Sequence, residues 1–114
     1  MEPTRPRHSP EHTELANEMV ALVERGAPRD FLDVYSLCQA GLTTASDCWR
    51  LWRQRQERAG ADADRDRARL AVETHLTRIV RYRPLETIAD REERETAARA
   101  RAWYRKELLD ALMD

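Results

Sequence analysis

Apolar residues recur every three or four positions along most of this chain, and no segment alternates apolar and polar residues over the length of a strand. That spacing is typical of helices with one buried face. Only three glycines interrupt the 114 residues, and 36% of the residues are charged, which suits helices with a wide solvated side. The sequence therefore predicts an all-α fold: a single compact bundle of four to five helices with no sheet.

Proline, glycine and capping residues predict where the helices begin and end. Residues 1–8 contain two prolines and three charges without an apolar pattern, which predicts a flexible N-terminal tail before a helical domain at residues 9–114. Ser9, Pro10 and Glu11 form a helix-start signal, and Gly26 is typical of a helix end. The predicted helices cover about 9–25, 29–40, a third capped by Thr44 or Ser46, a fourth from about 64–66 to Pro84, and a last one from about 85–87 that is broken near Asp90. On the third helix Trp49 and Trp52 are expected to pack inward. The expected apolar face of the fourth consists of Leu70, Val72, Leu76, Ile79 and Val80.

Charge and composition exclude several classes of protein. The net charge is −1 with acids and bases interleaved, which predicts ion-paired helix faces and no general attraction to nucleic acid or anionic lipid. The arginines between Arg50 and Arg58 could contact RNA phosphates, although a solvated helix face explains them equally well. The first residues lack a secretory signal, and no apolar run reaches the length of a membrane span, so we expect a cytoplasmic protein with no membrane partner.

Few residue groups have the spacing of a metal or redox site. Cys38 and Cys48 lack a CxxC spacing and are expected to be small core residues. His8 and His12 are four residues apart, but no third ligand lies near them in sequence. His75 lies among apolar neighbours and is expected to be half-buried. We therefore predict no metal site within this chain.

The second predicted helix carries the most suggestive polar residues. Asp30 and Asp33 are three positions apart and can share one face, with Arg29 beside them. The same helix has a predicted buried stripe formed by Phe31, Val34, Tyr35 and Cys38. A structural alternative remains open, in which the acid in the first turn interacts with the helix dipole and Arg29 pairs with Asp33 on the surface.

Three segments resemble the AbiEii/AbiGii toxin family of nucleotidyltransferases. They are LANEMVALVERGAPRDFLDVYSL, DCWRLW and RPLETIADREERETAARARAWYRKELL, and together they cover about residues 15–114. The resemblance is to the helical C-terminal portion of that family, where an arginine-aspartate pair is followed by a second aspartate. It implies catalytic roles for Asp30 and Asp33, a substrate-binding role for Arg29, and Mg²⁺ with a nucleoside triphosphate as cofactors.

Two departures from the family pattern affect what the chain can do alone. The family's metal-binding core has a Gly-Ser turn and an Asp-x-Asp pair on a strand, whereas Asp62 and Asp64 here lie in a predicted loop before a helix. Glu18 stands where the family has a lysine, and its charge would repel phosphate. The resemblance therefore implies the C-terminal portion of a toxin–antitoxin or phage-defence toxin without its catalytic core.

Two function hypotheses follow, and they differ in the expected partner. In the first, the chain binds a separately encoded nucleotidyltransferase core or an antitoxin, or associates with itself. In the second, it is a small non-enzymatic helical protein-binding module, either antitoxin-like or an assembly module. Both expect a chain that is not a complete enzyme on its own.

Overall fold

The computed structural model describes residues 10–113, with the side chains of residues 13–112, and these residues form five α-helices. The described residues contain no strand, so the predicted all-α bundle is confirmed. The predicted tail and the His8–His12 pair lie outside the described side chains. The helices are α1 (Pro10–Glu24), α2 (Pro28–Gln39), α3 (Ala45–Arg58), α4 (Arg65–Tyr82) and α5 (Arg91–Trp103).

Short polar side chains begin three of the helices. Thr44 accepts a hydrogen bond from the backbone N–H of Asp47, which settles the choice between Thr44 and Ser46 as the cap of α3. Asp64 caps α4, and Asp90 caps α5. Such oxygens satisfy backbone N–H groups that have no partner within the helix. The predicted break near Asp90 is confirmed, because a 3₁₀ turn at Leu85–Thr87 precedes α5 as a separate element.

The turn between α1 and α2 lies very close to α4. Gly26 has a φ of +59°, a backbone conformation that favours glycine. A Cβ atom at this position would lie 2.2 Å from Cγ of His75 on α4, so the close approach also excludes a side chain. His75 is half-buried, as predicted, and its Nε2 lies 3.0 Å from the backbone oxygen of Val23. The sequence around Gly26 thus both ends α1 and allows α4 to pack against the turn.

The core lies where α1 packs against α2, α3 and α4. Met19, Leu22 and Val72 are among its fully buried side chains, and the predicted burial of the third helix's tryptophans is confirmed. Leu70 was predicted on the apolar face of α4, and that prediction is wrong, since its side chain is 64% exposed. The buried stripe of α4 runs through Ala68, Val72 and Leu76, and residues two positions away lie on the opposite side of a helix.

A π-helical turn at Tyr104–Leu108 continues α5 into the centre of the bundle. Its defining hydrogen bond runs from the N–H of Leu109 to the oxygen of Tyr104 (2.9 Å). Two long-range hydrogen bonds hold the turn: the Tyr104 hydroxyl donates to the oxygen of Phe31 (2.5 Å), and Nε1 of Trp49 donates to the oxygen of Leu108 (2.7 Å). A 3₁₀ turn at Asp110–Met113 follows. The segment from 104 to 112 therefore joins α2 to α3 through the core.

Oppositely charged side chains one helical turn apart pair along the exposed faces, as the interleaved charges predict. The exposed pairs four positions apart, with the distance between their charged atoms in parentheses, are Arg29–Asp33 (3.8 Å), Arg53–Glu57 (3.9 Å), Arg69–Glu73 (2.9 Å) and Arg91–Glu95 (3.3 Å).

No helix within residues 10–113 is long and apolar enough to cross a bilayer.

Candidate functional site

Asp30 is clamped at the start of α2 by two groups from the turn before it. The guanidinium of Arg25 contacts both of its carboxylate oxygens, with Nη2–Oδ1 at 2.6 Å and Nε–Oδ2 at 3.0 Å. The backbone N–H of Ala27, the N-cap residue, donates to Oδ2 at 2.9 Å. The Asp30 side chain is 6% exposed. These three hydrogen bonds hold the Asp30 carboxylate in place. The bond from Ala27 is the one that the acid at the third helical position (N3) of a capping box accepts.

The other two predicted site residues lie on the surface. The side chain of Arg29 is 88% exposed and that of Asp33 is 43% exposed, and their charged atoms lie 3.8 Å apart. This is the surface ion pair between Arg29 and Asp33 that the structural alternative predicted. Arg25, which the sequence interpretation did not single out as a site residue, is the closest cation to Asp30. The structure therefore brings Arg29 and Asp33 together, whereas Asp30 is held separately by Arg25.

Glu18 on α1 belongs to the same acidic neighbourhood. Burial raises the pKa of Glu18, and the charges of Asp33, Glu14 and Asp30 raise it further, while Arg29 acts in the opposite direction. Its Oε2 atom is buried without a hydrogen-bond partner. The side chain that replaces the lysine of the resembled family is thus a carboxylate facing other carboxylates.

Removing the Asp30 carboxylate should test whether its role is structural. Asp30→Ala is expected to lower the free energy of unfolding by about 1–3 kcal/mol, because it removes a charged hydrogen-bond partner and half of a cap. The pKa of Asp30 is lowered, chiefly by the hydrogen bonds from Arg25 and also by that from Ala27, against the opposing effect of burial. Because the pKa of Asp30 is lower in the folded state, the group stabilises the fold above its unfolded pKa, and this stability is lost as the pH falls through its folded pKa. The difference between wild type and variant should therefore shrink in acid, below about pH 4.

The matched control for this experiment is Asp33→Ala, which removes an exposed acid from the same helix. Its expected effect is within about 0.5 kcal/mol, the usual range for surface substitutions. Urea unfolding followed by circular dichroism at neutral and acid pH measures both variants. Equal stability of the Asp30 and Asp33 variants would contradict the structural assignment.

Neutralising Glu18 should stabilise the protein at neutral pH. The pKa of Glu18 is higher in the folded state than in the unfolded state. The group therefore contributes to folding stability below its unfolded pKa, and this contribution is lost as the pH rises through its folded pKa. Glu18→Gln removes the charged form, and the expected gain is at most about 1 kcal/mol, because solvent screens charges at a partly exposed site. Thermal unfolding across a pH series should show the gain at pH 7 and its disappearance near pH 4, with the exposed Glu107→Gln as control. A gain that is the same at every pH would rule out the charge as its cause.

The remaining candidate groups have structural partners. Asp62 pairs with Arg67 at 2.6 Å and Asp64 caps α4, so this pair has the loop and helix-start role expected for it. Cys38 and Cys48 are free thiols with sulfur atoms 3.8 Å apart, and Cys48 is fully buried. Residues 13–112 contain no group of three or more His, Cys, Asp or Glu side chains that could hold a metal ion. The catalytic roles and the Mg²⁺ implied by the resemblance stay predictions.

A second site lies on another side of α2 and was not foreseen from the sequence. It is a cavity of about 410 Å³, here called the interhelix cavity, between α2, α4 and α5. Its apolar wall includes Phe31, Leu32, Leu76, Ile79, Ile88 and Ala100. Its polar residues are Arg83, Arg101, Asp90, Glu92, Glu93 and Thr96. The size and the mostly apolar lining are those of a pocket for a small ligand, about 300–1,000 Å³.

Comparison with known proteins identified no relative of this chain. The chain matches no protein-family model, no curated protein and no solved structure. The resemblance to AbiEii/AbiGii toxins therefore stays a hypothesis.

Proposed function

We propose that this chain is a non-enzymatic helical binding module that holds the apolar part of a ligand in the interhelix cavity. The observation that carries the proposal is the cavity itself, with its volume of about 410 Å³ beside a packed core. A concave, mostly apolar space of this size is the usual form of a small-molecule site.

The surroundings of the cavity support binding of an apolar group. Leu32 lines the cavity and its side chain is 43% exposed, although α2 is otherwise packed through Phe31, Val34 and Tyr35. The floor is firmly held, because the Phe31 and Tyr104 rings meet edge to face with centroids 4.6 Å apart. A ligand would therefore meet a largely pre-formed apolar surface and cover an apolar side chain that water now contacts.

The contacts of the predicted catalytic residues favour the binding hypothesis over the enzymatic one. The Asp30 carboxylate is occupied by Arg25 and by the backbone of Ala27, and Asp33 pairs with Arg29. Each contact is one that stabilises a helix start or a helix face. The binding module proposed here shares its non-enzymatic character with the second of the two sequence hypotheses, but its partner is a small ligand in the cavity and not a protein.

Filling the cavity with a side chain should abolish binding of an apolar probe. The probe is octanol, titrated into the full chain and followed by amide chemical shifts. We expect shifts confined to residues around the cavity, such as Phe31, Ile79 and Ala100. Ala97→Trp, whose indole would occupy the cavity, should weaken binding by about tenfold or more, which corresponds to about 1.4 kcal/mol.

The control is Ala102→Trp, which adds the same ring at an exposed position of the same helix. It should bind octanol as the wild type does. Circular dichroism confirms that both variants are folded. Shifts scattered over the surface, or equal binding by the two tryptophan variants, would refute the proposed function.

A further inference from the structure

Arg101 is a buried cation on the wall of the interhelix cavity. Its residue is only 9% exposed, and its Nη2 donates a hydrogen bond of 2.7 Å to the backbone oxygen of Arg83. That is its one hydrogen bond to the described part of the chain, and none of the carboxylates described there lies within ion-pair distance of it. A guanidinium has five N–H donors, so most of its donors have no protein acceptor.

The charges around Arg101 make an anion favourable at this point. Burial lowers the pKa of Arg101, and the charges of Arg105 and Arg83 lower it further. Glu86 acts in the opposite direction but does not form an ion pair with it. An arginine stays protonated in proteins, so the site keeps a positive charge that is largely, though not fully, removed from water. Burial of an unpaired charge is unfavourable, and an anion with matching hydrogen bonds offsets it.

The other end of the cavity has the opposite charge. Glu92 and Glu93 lie in the first turn of α5 and line the cavity there. Arg101 lies eight positions after Glu93, a distance of about 12 Å along the helix. Between them the wall is apolar, with Ala97 and Ala100 on α5. A ligand with one anionic end would therefore bind in one direction, with its head at Arg101 and away from the two glutamates.

Resting on the proposed function of the cavity, we infer that its ligand is an amphipathic carboxylate, a hydrocarbon chain or ring with a single acid group. The carboxylate accepts hydrogen bonds from Arg101, whose planar fork matches two carboxylate oxygens. The hydrocarbon part lies against Phe31, Ile79 and Ala100. Arg101 is thus the residue that determines the charge of the ligand.

Three probes with the same hydrocarbon chain test this inference: octanoate, octanol and octylamine. Each is titrated into the full chain at neutral pH, with amide shifts and calorimetry as readouts. We expect octanoate to bind about tenfold more tightly than octanol, the equivalent of one charge-assisted interaction of about 1.4 kcal/mol. Octylamine should bind most weakly, because its ammonium group would meet the guanidinium.

Arg101→Met should remove the preference for octanoate and leave octanol binding in place, because methionine keeps the apolar stem. Arg99→Met, at an exposed position of α5 that does not line the cavity, should keep the preference. In the wild type, octanoate should shift the side-chain Nε–H signal of Arg101, and octanol should not. That measurement decides the inference even when Arg101→Met fails to fold.

The possible failures are distinguishable. Octanol and octanoate binding equally well, with no shift of the Arg101 signal, would overturn the inference and leave the proposed function standing. Failure of all three probes to bind would overturn both. An octanoate preference that survives Arg101→Met in a folded variant would show that another cation recognises the acid.

Discussion

Replacing Tyr104 by alanine is expected to lower the free energy of unfolding by about 3–5 kcal/mol, the usual cost of deleting a large buried aromatic side chain. The Tyr104 side chain is fully buried and packs edge to face against Phe31 and Trp103, with centroids 4.6 and 4.9 Å away. Its removal would leave a cavity at the point where α5 joins α2. Urea unfolding followed by circular dichroism measures the loss.

The companion variant Tyr104→Phe separates the ring from the hydroxyl. It keeps the packing and removes only the hydrogen bond to the oxygen of Phe31, so we expect a loss of about 1 kcal/mol. Burial raises the pKa of Tyr104 well above its ordinary value, so the hydroxyl is a neutral donor throughout the neutral range. If the alanine and phenylalanine variants lost the same stability, the ring would not be the main contributor.

Trp52→Ala is the second substitution with a large expected effect, again a loss of about 3–5 kcal/mol. The Trp52 indole is 2% exposed and meets Trp49 edge to face at 5.6 Å. Both rings lie in the core under α3, which supports a packing role. Guanidinium unfolding followed by the fluorescence of the remaining tryptophans measures the change.

Phenylalanine at the two tryptophan positions makes a matched pair. Nε1 of Trp49 donates to the oxygen of Leu108, whereas Nε1 of Trp52 is buried without a hydrogen-bond partner. Trp49→Phe therefore loses a buried hydrogen bond and leaves an acceptor unsatisfied, a cost of about 1–3 kcal/mol beyond the change in packing. Trp52→Phe loses no such bond and should be milder. The reverse order would show that the indole of Trp52 has a polar role.

Local signals in the sequence were enough to predict the helices. Thr44, Asp64 and Asp90 act as caps because a side-chain oxygen near the N–H groups of the following turn is a local arrangement. Gly26 ends α1 for an equally local reason. Leu70 was placed wrongly because an apolar residue outside the stripe can be told from a core residue only when the packing partner is known.

The candidate sites show a similar division between local and long-range information. The positions of Arg29 and Asp33 on one turn of α2 follow from their spacing, and so does their surface pair. That Asp30 would instead be held by Arg25 depends on how the chain folds back at Gly26. The interhelix cavity joins residues from three helices, such as Phe31, Ile79 and Arg101, and no short motif connects them. Its prediction needed the tertiary structure.

The segment from 104 to 112 fills part of the core but is synthesised after α1 to α5. α1 to α4 leave the ribosome first, and α1 can already pack against α2, α3 and α4. The backbone oxygen of Phe31 and the indole N–H of Trp49 stay without their partners until Tyr104 and Leu108 are synthesised, 73 and 59 residues later, respectively. At about 5–20 residues per second, the half-built core exposes its apolar interior for seconds. The nascent chain is therefore most vulnerable to misfolding and to proteases just before Tyr104 and Leu108 emerge to complete it.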